Sequence, residues 1–319
     1  MRGEIDLSVV VPVYNEHQNL QPLVVDILAE LDRLARSAEL ILVNDGSTDG
    51  SAEELDRLAV SDSRVRVLHF AHNCGQTLAL AAGMDESRGR VIVLMDGDRQ
   101  NDPADIGVLL AKLEEGYGCV SGWRRDRKDT GPRRWVSRVA NRIINGLAGV
   151  PIHDLGCTLK AYRADAIDPR DLFGEMHRFL PLFVMARGGK VTELVVRHHP
   201  RTAGVSKYGF NRIYRVLSDI MLIRVLLKYR TRPSHFFARL GWFLAIAGTA
   251  FFAASGVLQL TVGGGWLLTG WLTMLAAWLG ALVLAGIGIA CELIMRNRYW
   301  LADRRPWTIA RRVNFDRSS

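Results

Sequence analysis

Residues 240–291 contain no Asp, Glu, Lys, Arg or His. A soluble core rarely runs so far without a charge, which argues against a pair of buried core helices. A bilayer core about 30 Å thick takes roughly 20 apolar residues per helix. The stretch is therefore predicted to form two spans, about Leu240 to Leu260 and about Trp266 to Ala290, joined by Thr261, Val262, Gly263, Gly264 and Gly265. Cysteine is also scarce. Cys74, Cys119, Cys157 and Cys291 make no C-x-x-C pair, and the histidines make no H-E-x-x-H. A zinc site or a redox motif is thus not expected, and the thiols read as free in a reducing compartment. Internal repeats and low-complexity tracts are missing too. Met1 to Leu7 hold no long apolar region, so no signal peptide is expected. The net charge is +8, yet no nucleic-acid-binding module accompanies it. The excess reads as arginine flanking a membrane plus solvated surface.

Those flanking charges predict an orientation. Arg230, Arg232 and Arg239 precede the apolar stretch, and Arg296, Arg298, Arg304, Arg305, Arg311 and Arg312 follow it. The intervening turn has none. By the positive-inside rule both termini are expected in the cytoplasm. Asn211 to Tyr229, with Arg212, Arg215, Arg224 and Lys228 among apolar residues, reads as an amphipathic helix at the membrane surface.

Apolar runs alternate with helical patterns over the first 120 residues or so. Strands are predicted at Leu7 to Val13, Glu39 to Val43, Arg64 to Phe70, Val91 to Met95 and Cys119 to Gly122. Helices are predicted at about Leu20 to Arg36, Ala52 to Val60, Thr77 to Glu86 and Ala104 to Glu115. This alternation predicts an α/β fold with a mostly parallel sheet and helices on both faces. Ligands of such sheets bind at the carboxyl ends of the strands. Three strand ends are polar there: "VPVYNE" after the first, "VNDGSTDG" after the second and "MDGD" after the fourth. Each alone is weak, since Asp-Gly-Ser is commonly a turn or a cap. Together they bring Glu16, Asp45, Asp96 and Asp98 to one edge.

"VIVLMDGDRQNDP" sets a chemical problem: a buried strand ends in carboxylates that repel one another and cost free energy to desolvate. A hard divalent cation with a diphosphate resolves it. Magnesium takes one or two carboxylates and completes its shell with water and phosphate oxygens. Asp98 is the expected direct ligand. Gln100 either supplies another oxygen or sits on the surface, and Asp102-Pro103 is expected to start the next helix, with Asp102 as its cap. From Trp123 onward the chain becomes arginine-rich, followed by "DLGCTLKAYR" at 154–163 and "HHPRTAGVSKYG" at 198–209.

"VPVYNE", "VNDGSTDG", "NCGQTLALAAG", "LMDGDRQNDP", "DLGCTLKAYR" and "GVSKYG" resemble, in this order, family 2 glycosyltransferases. Within that family they resemble the polyprenyl-phosphate branch, with dolichyl-phosphate mannose synthase and the bacterial undecaprenyl-phosphate transferases. The resemblance implies a GT-A type, Rossmann-like domain over 1–209, a juxtamembrane helix over 210–235, two transmembrane helices within 236–293 and a basic tail over 294–319. It implies inverting transfer of a sugar from a UDP- or GDP-linked donor to a polyprenyl phosphate, with Mg2+ or Mn2+ as cofactor, at the inner membrane. By motif position, Pro12, Tyr14, Glu16, Asp45 and Gln76 would bind the donor. Asp96, Asp98 and Gln100 would hold metal and diphosphate. Arg124, Arg134, Arg138 and Lys207 would face acceptor phosphate. Asp154 joins Asp96 and Asp98 as a catalytic candidate, orienting an arginine or a donor hydroxyl in preference to accepting a proton. Two departures stand out. Arg99 replaces the usual Leu, either touching phosphate or pointing to solvent, and "DGD" replaces "DAD".

Two other readings meet the same residues. A processive polysaccharide synthase would need more spans and Q-x-x-R-W, whereas this chain has "PRRW" at 132–135. A non-catalytic sugar-nucleotide-binding membrane protein would be favoured by loss of an essential acid, yet Asp45, Asp96 and Asp98 are all present. Oligomeric state stays open, a homo-oligomer included.

Overall fold

The computed structural model describes residues 4–125, 152–172, 174, 176–200, 233–300 and 306–315, without the side chains of 295–300. Arg134, Arg138, Lys207 and the amphipathic stretch 211–229 lie outside the described residues. The chain forms two compact units: Met1–Ile220 with Arg305–Ser319, and Met221–Arg304.

The first unit is built on β1 (Ile5–Val13), β2 (Ala38–Asn44), β3 (Val65–Phe70), β4 (Gly89–Leu94), β5 (Cys119–Trp123), β6 (Lys160–Arg163), β7 (Val191–Val195) and β8 (Ile309–Val313). They lie in one sheet in the order β7-β5-β6-β4-β1-β2-β3-β8. β6 runs antiparallel between β4 and β5, and β8 runs antiparallel along β3; the other pairings are parallel. The central strands lack alternation because both faces are covered: Val9, Val10, Val11, Leu40, Ile41 and Leu42 are all fully buried. The covering helices are α1 (His17–Leu34), α2 (Ser51–Ser61), α3 (Gln76–Asp85), α4 (Ile106–Leu113) and the short α5 (Leu180–Ala186). In α1 the buried face runs Leu20, Leu23, Val24, Ile27 and Leu31, the three- and four-residue spacing of an amphipathic helix. Asp102 caps the turn before α4 as expected, accepting from Ala104 N–H at 3.0 Å with Pro103 next.

β6, β7 and β8 are the additions the sequence pattern does not show. Each has four or five residues. The stretch expected only as a basic tail thus contributes an edge strand to the sheet. β1 has β2 on one side and β4 on the other, so the chain's direction of winding reverses between them. A crevice opens at such a switch point, at the carboxyl ends of the strands.

The second unit holds α6 (Pro233–Val262) and α7 (Trp266–Trp300), joined by a three-residue turn of Gly263, Gly264 and Gly265. Ser234–Val262 and Trp266–Ile294 are long and apolar enough to cross a membrane, with mean hydropathy 1.8 and 2.2. Little of either is buried. Trp242, Phe243, Leu272 and Leu282 face outward, whereas the contact between the helices buries the small residues Ala245, Ser255 and Ala277. Small residues inside and large apolar ones outside is the pattern of helices packed in lipid.

Candidate active site

Five strand ends, those of β1 to β5, and the segment entering β6 carry the site. After β1 the chain turns at Asn15, a non-glycine residue at φ 56°. Asn15 N–H donates to Ser47 Oγ at 3.0 Å, and Asn15 Oδ1 accepts from Thr48 N–H at 2.8 Å. Glu16 N–H donates to Ser51 Oγ at 3.1 Å, and Glu16 Oε2 accepts from Asn19. The loops after β1 and β2 are therefore stitched together, with Tyr14 exposed on the first and Pro12 half-buried at the end of β1.

Asp45 is almost completely buried. Its carboxylate accepts from Cys74 N–H at 2.6 Å, Gly75 N–H at 2.9 Å and Asn73 Nδ2 at 3.0 Å. Burial pushes its pKa up, and the two amides pull against that. Gly46 makes this clasp possible. Its φ is +69°, and a Cβ there would stand 2.6 Å from Asn73 N, so the loop lies directly against the His72–Asn73 backbone.

The acids after β4 follow directly on the strand, at the carboxyl edge of the sheet. Asp96 accepts from Gln76 Nε2 at 2.7 Å and from the Thr158 hydroxyl. Burial and the neighbouring Asp98 carboxylate raise its pKa, with Arg124 and Lys160 opposing. Asp98 is buried and accepts from Gln100 N–H at 3.1 Å. Gln100 is also held by its carbonyl, which accepts from His199 N–H. Arg99 adopts φ 59° and pairs with Asp26 of α1 at 3.2 Å, so it engages a helix carboxylate. Gly97 answers the other departure: a Cβ there would lie 3.1 Å from the Pro12 carbonyl, a tight but not prohibitive approach.

Arg124, just past β5, meets Asp154 in a two-pronged ion pair. Nε and Nη2 donate to the two carboxylate oxygens at 2.7 and 3.1 Å, and each side chain is 9% exposed. Burial works against the guanidinium charge, but the bonds from Asp154 outweigh it and hold Arg124 firmly protonated. Arg124 and Asp154 thus come together with Asp96, whereas Arg134, Arg138 and Lys207 belong to the undescribed residues.

The sequence reading missed three side chains here. Lys160 is fully buried, donates to the Leu155 carbonyl at 3.1 Å and to the Cys157 carbonyl, and has its pKa lowered by burial. It ties down the 155–158 turn that presents Thr158 to Asp96. His177 is buried 2.7 Å from Thr77 Oγ1, with its pKa driven well below the ordinary value by burial. Thr158 itself is the third. A lysine within the strand "LKAYR" was the available signal; Thr158 and His177 carried none. The thiols of Cys119 and Cys157 are buried, pushed up to about 12 and about 11, and free, as are Cys74 and Cys291. Nucleophilic thiolate chemistry has no support in them.

Among the described residues no three His, Cys, Asp or Glu side chains gather as a metal cage. Two carboxylates one residue apart, with Asp96 buried beside Asp98, still fit a cation that takes the rest of its shell from phosphate and water.

A mostly parallel sheet covered by helices on both faces, with acids and a buried arginine gathered at its carboxyl edge, is the arrangement of a GT-A type fold. Comparison with known proteins gives the family: residues 8–170 match the model of glycosyl transferase family 2, and the chain belongs to that family. It is 37% identical to the dodecaprenyl-phosphate galacturonate synthase of Rhizobium johnstonii, over 98% of this chain and 94% of that protein. It is 33% identical to the undecaprenyl-phosphate 4-deoxy-4-formamido-L-arabinose transferase of Shewanella sediminis, over 93% and 92% respectively. In fold it is similar to glucosyl-3-phosphoglycerate synthase from Mycobacterium tuberculosis, solved with Mn2+, UDP-glucose and phosphoglyceric acid: TM-score 0.52, 20% identity, 69% of this chain and 80% of that one.

Proposed function

We propose that this chain is an inverting glycosyltransferase that moves a sugar from a UDP- or GDP-linked donor to the phosphate of a polyprenyl phosphate. The observation that carries the proposal is the convergence, on one sheet edge, of the Asp45 clasp, the Asp96–Asp98 pair and the Arg124–Asp154 pair. Relatives named as polyprenyl-phosphate transferases, similar over nearly the whole chain, support it. They give no support to a processive synthase or a non-catalytic binder.

In this reading Asp45, Tyr14, Glu16 and Pro12 form the nucleoside side, and Gln76 braces Asp96. Asp96 and Asp98 would hold Mg2+ or Mn2+, which when bound supplies positive charge to the departing diphosphate. An oxygen of the acceptor phosphate attacks the anomeric carbon, the bond from that carbon to the diphosphate breaks, and nucleoside diphosphate leaves with the electron pair. Attack from the opposite face inverts the configuration. The acceptor's second pKa is about 6, so near neutral pH it is largely dianionic and asks for no side-chain base. Its need is for positive charge. Asp154 holds Arg124 by one edge of the guanidinium, whose other donors are suited to phosphate oxygens.

The membrane reading draws on the sheet itself. β8 follows the hairpin in sequence, and β1 to β7 precede it, yet all lie in one sheet. The chain must then return to the side it left, as two spans require. Arginines on both flanks favour the cytoplasm as that side, at the inner membrane. The test is a donor screen with purified protein, undecaprenyl phosphate and a panel of UDP- and GDP-sugars, read by mass spectrometry of the lipid. One sugar added to the lipid phosphate is expected. A long polymer, or binding without any lipid product, would overturn the reading.

A further inference from the structure

The strand that follows the hairpin ends a polar network whose other end is the donor loops. In the β3–β8 pairing His69 lies opposite Arg311. The Thr308 carbonyl accepts from Ala71 N–H at 3.1 Å, just ahead of the His72–Gly75 turn that clasps Asp45. Arg311 donates to Asp56 Oδ2 on α2. Asp56 Oδ1 is 3.1 Å from His69 Nε2, and His69 Nδ1 is 3.0 Å from Asn44 Nδ2. Asn44 Oδ1 accepts from Ser47 N–H at 2.9 Å, and Ser47 Oγ accepts from Asn15 N–H. Asn44 and His69 are both about 95% buried, being 4% and 5% exposed.

The proton positions follow from one certain donor. Ser47 N–H is a backbone amide, so the oxygen of Asn44 must face it and the NH2 must face His69. His69 Nδ1 is then the acceptor, its proton sits on Nε2, and Nε2–H donates to Asp56, while Arg311 Nη2, 3.4 Å from that nitrogen, faces it as a second donor and bonds Asp56 instead. Each bond therefore has one orientation, and bonds joined in this way polarise one another. Asp56 is the point where His69 and Arg311 both donate, one to each oxygen.

We propose that Arg311 is a positioning residue for the donor site: through Asp56, His69 and Asn44 it holds the Asp45–Ser47 loop, so that the segment returning from the hairpin sets nucleotide affinity. This rests on the reading of that loop as the nucleotide side. Arg311 acts through other residues and touches no reacting group. Arg312 provides the internal control, because it stands on the same strand but pairs with Glu86 at 2.8 Å.

The experiment uses the full-length chain in nanodiscs, as wild type, Arg311→Ala, Arg311→Lys and Arg312→Ala. UDP and GDP are titrated with Mn2+ by calorimetry, and hydrogen exchange is followed over residues 44–51. Since Arg311 is 54% exposed, its ion pair is screened. The expected loss for Arg311→Ala is accordingly modest, about three- to fivefold in nucleotide affinity. Exchange at Ser47 speeds up, Arg311→Lys recovers part of both effects, and Arg312→Ala matches wild type in both. In turnover, donor KM rises while kcat holds. Unchanged nucleotide affinity in Arg311→Ala, or the same loss in Arg312→Ala, overturns the proposal. If wild type binds neither nucleotide, the transferase reading fails separately, and the exchange contrast between Arg311→Ala and Arg312→Ala alone decides the coupling.

Discussion

At the scale of the residue, charge and burial decide what each group can do. Asp98→Asn keeps the shape of the loop and removes a full negative charge from the proposed cation site. Several kcal/mol of transition-state stabilisation go with it, so turnover is expected to fall by roughly a hundredfold or more. A steady-state assay with Mn2+ and with EDTA checks this; full activity in EDTA would contradict it. Asp154→Asn should behave differently. It strands the buried Arg124, so the apparent acceptor KM rises and the melting temperature drops, breaking such a pair costing about 3–5 kcal/mol. The pH dependence of turnover should stay that of wild type, because in the proposed mechanism no proton passes through Asp154. Recovery of Asp154→Asn activity as pH rises would show that a base is required there. His177 carries a pH prediction. Its folded pKa lies well below the ordinary value, so the unfolded chain binds its proton first as pH falls. Stability from neutral His177 is therefore complete above about pH 6.5 and is lost progressively below it, down to the depressed pKa. Thermal melting across pH 5 to 8, for wild type and His177→Gln, checks this, and the variant should show a shallower slope.

At the scale of the element, the loops matter more than the strands that end in them. Two glycines four residues or fewer from the acids differ sharply in what they permit. Gly46→Ala forces a Cβ to 2.6 Å from a backbone nitrogen at a positive φ, and neither atom has room to move. The Asp45 clasp should open, with donor KM rising by about tenfold or more, as expected for about 1.4 kcal/mol or more of lost binding. Gly97→Ala places its Cβ 3.1 Å from the Pro12 carbonyl, which a shift of a few tenths of an ångström relieves. Donor KM for that variant should stay near wild type. The pair of measurements distinguishes close approach from a general need for glycine near the acids.

At the scale of the whole molecule, the chain returns after its hairpin to pair with the sheet it started from. In the proposed reading both flanks of the hairpin share one side of the membrane, and the flanking arginines favour the cytoplasm as that side. A protease-cleavable tag after Ser319 should be protected in right-side-out vesicles and cut in inverted ones. Cleavage from outside would reverse the orientation. The two units also differ in what stabilises them. The sheet buries large aliphatic residues, whereas the hairpin buries small residues and turns its large apolar ones outward.

The amino-acid sequence determined the parallel core, the hairpin and the acidic edge, because each leaves a local mark. Buried strands lose their alternation, spans lose their charges, and Asp96 and Asp98 follow directly on a strand. The helix cap at Asp102 was legible for the same reason. Only the tertiary structure decided the partners. Asp154 and Arg124 stand 30 positions apart, with residues 126–151 between them. Thr158 and Lys160 meet the Asp96 loop because β6 inserts antiparallel beside β4. Arg311 meets Asp56 and His69 from more than 240 positions away, across the whole hairpin. Such contacts pair hydrogen-bonding groups whose chain separation carries no periodicity. β6, β7 and β8 stand outside the strand–helix alternation of the first 120 residues or so, so the packing of the sheet alone brought them in.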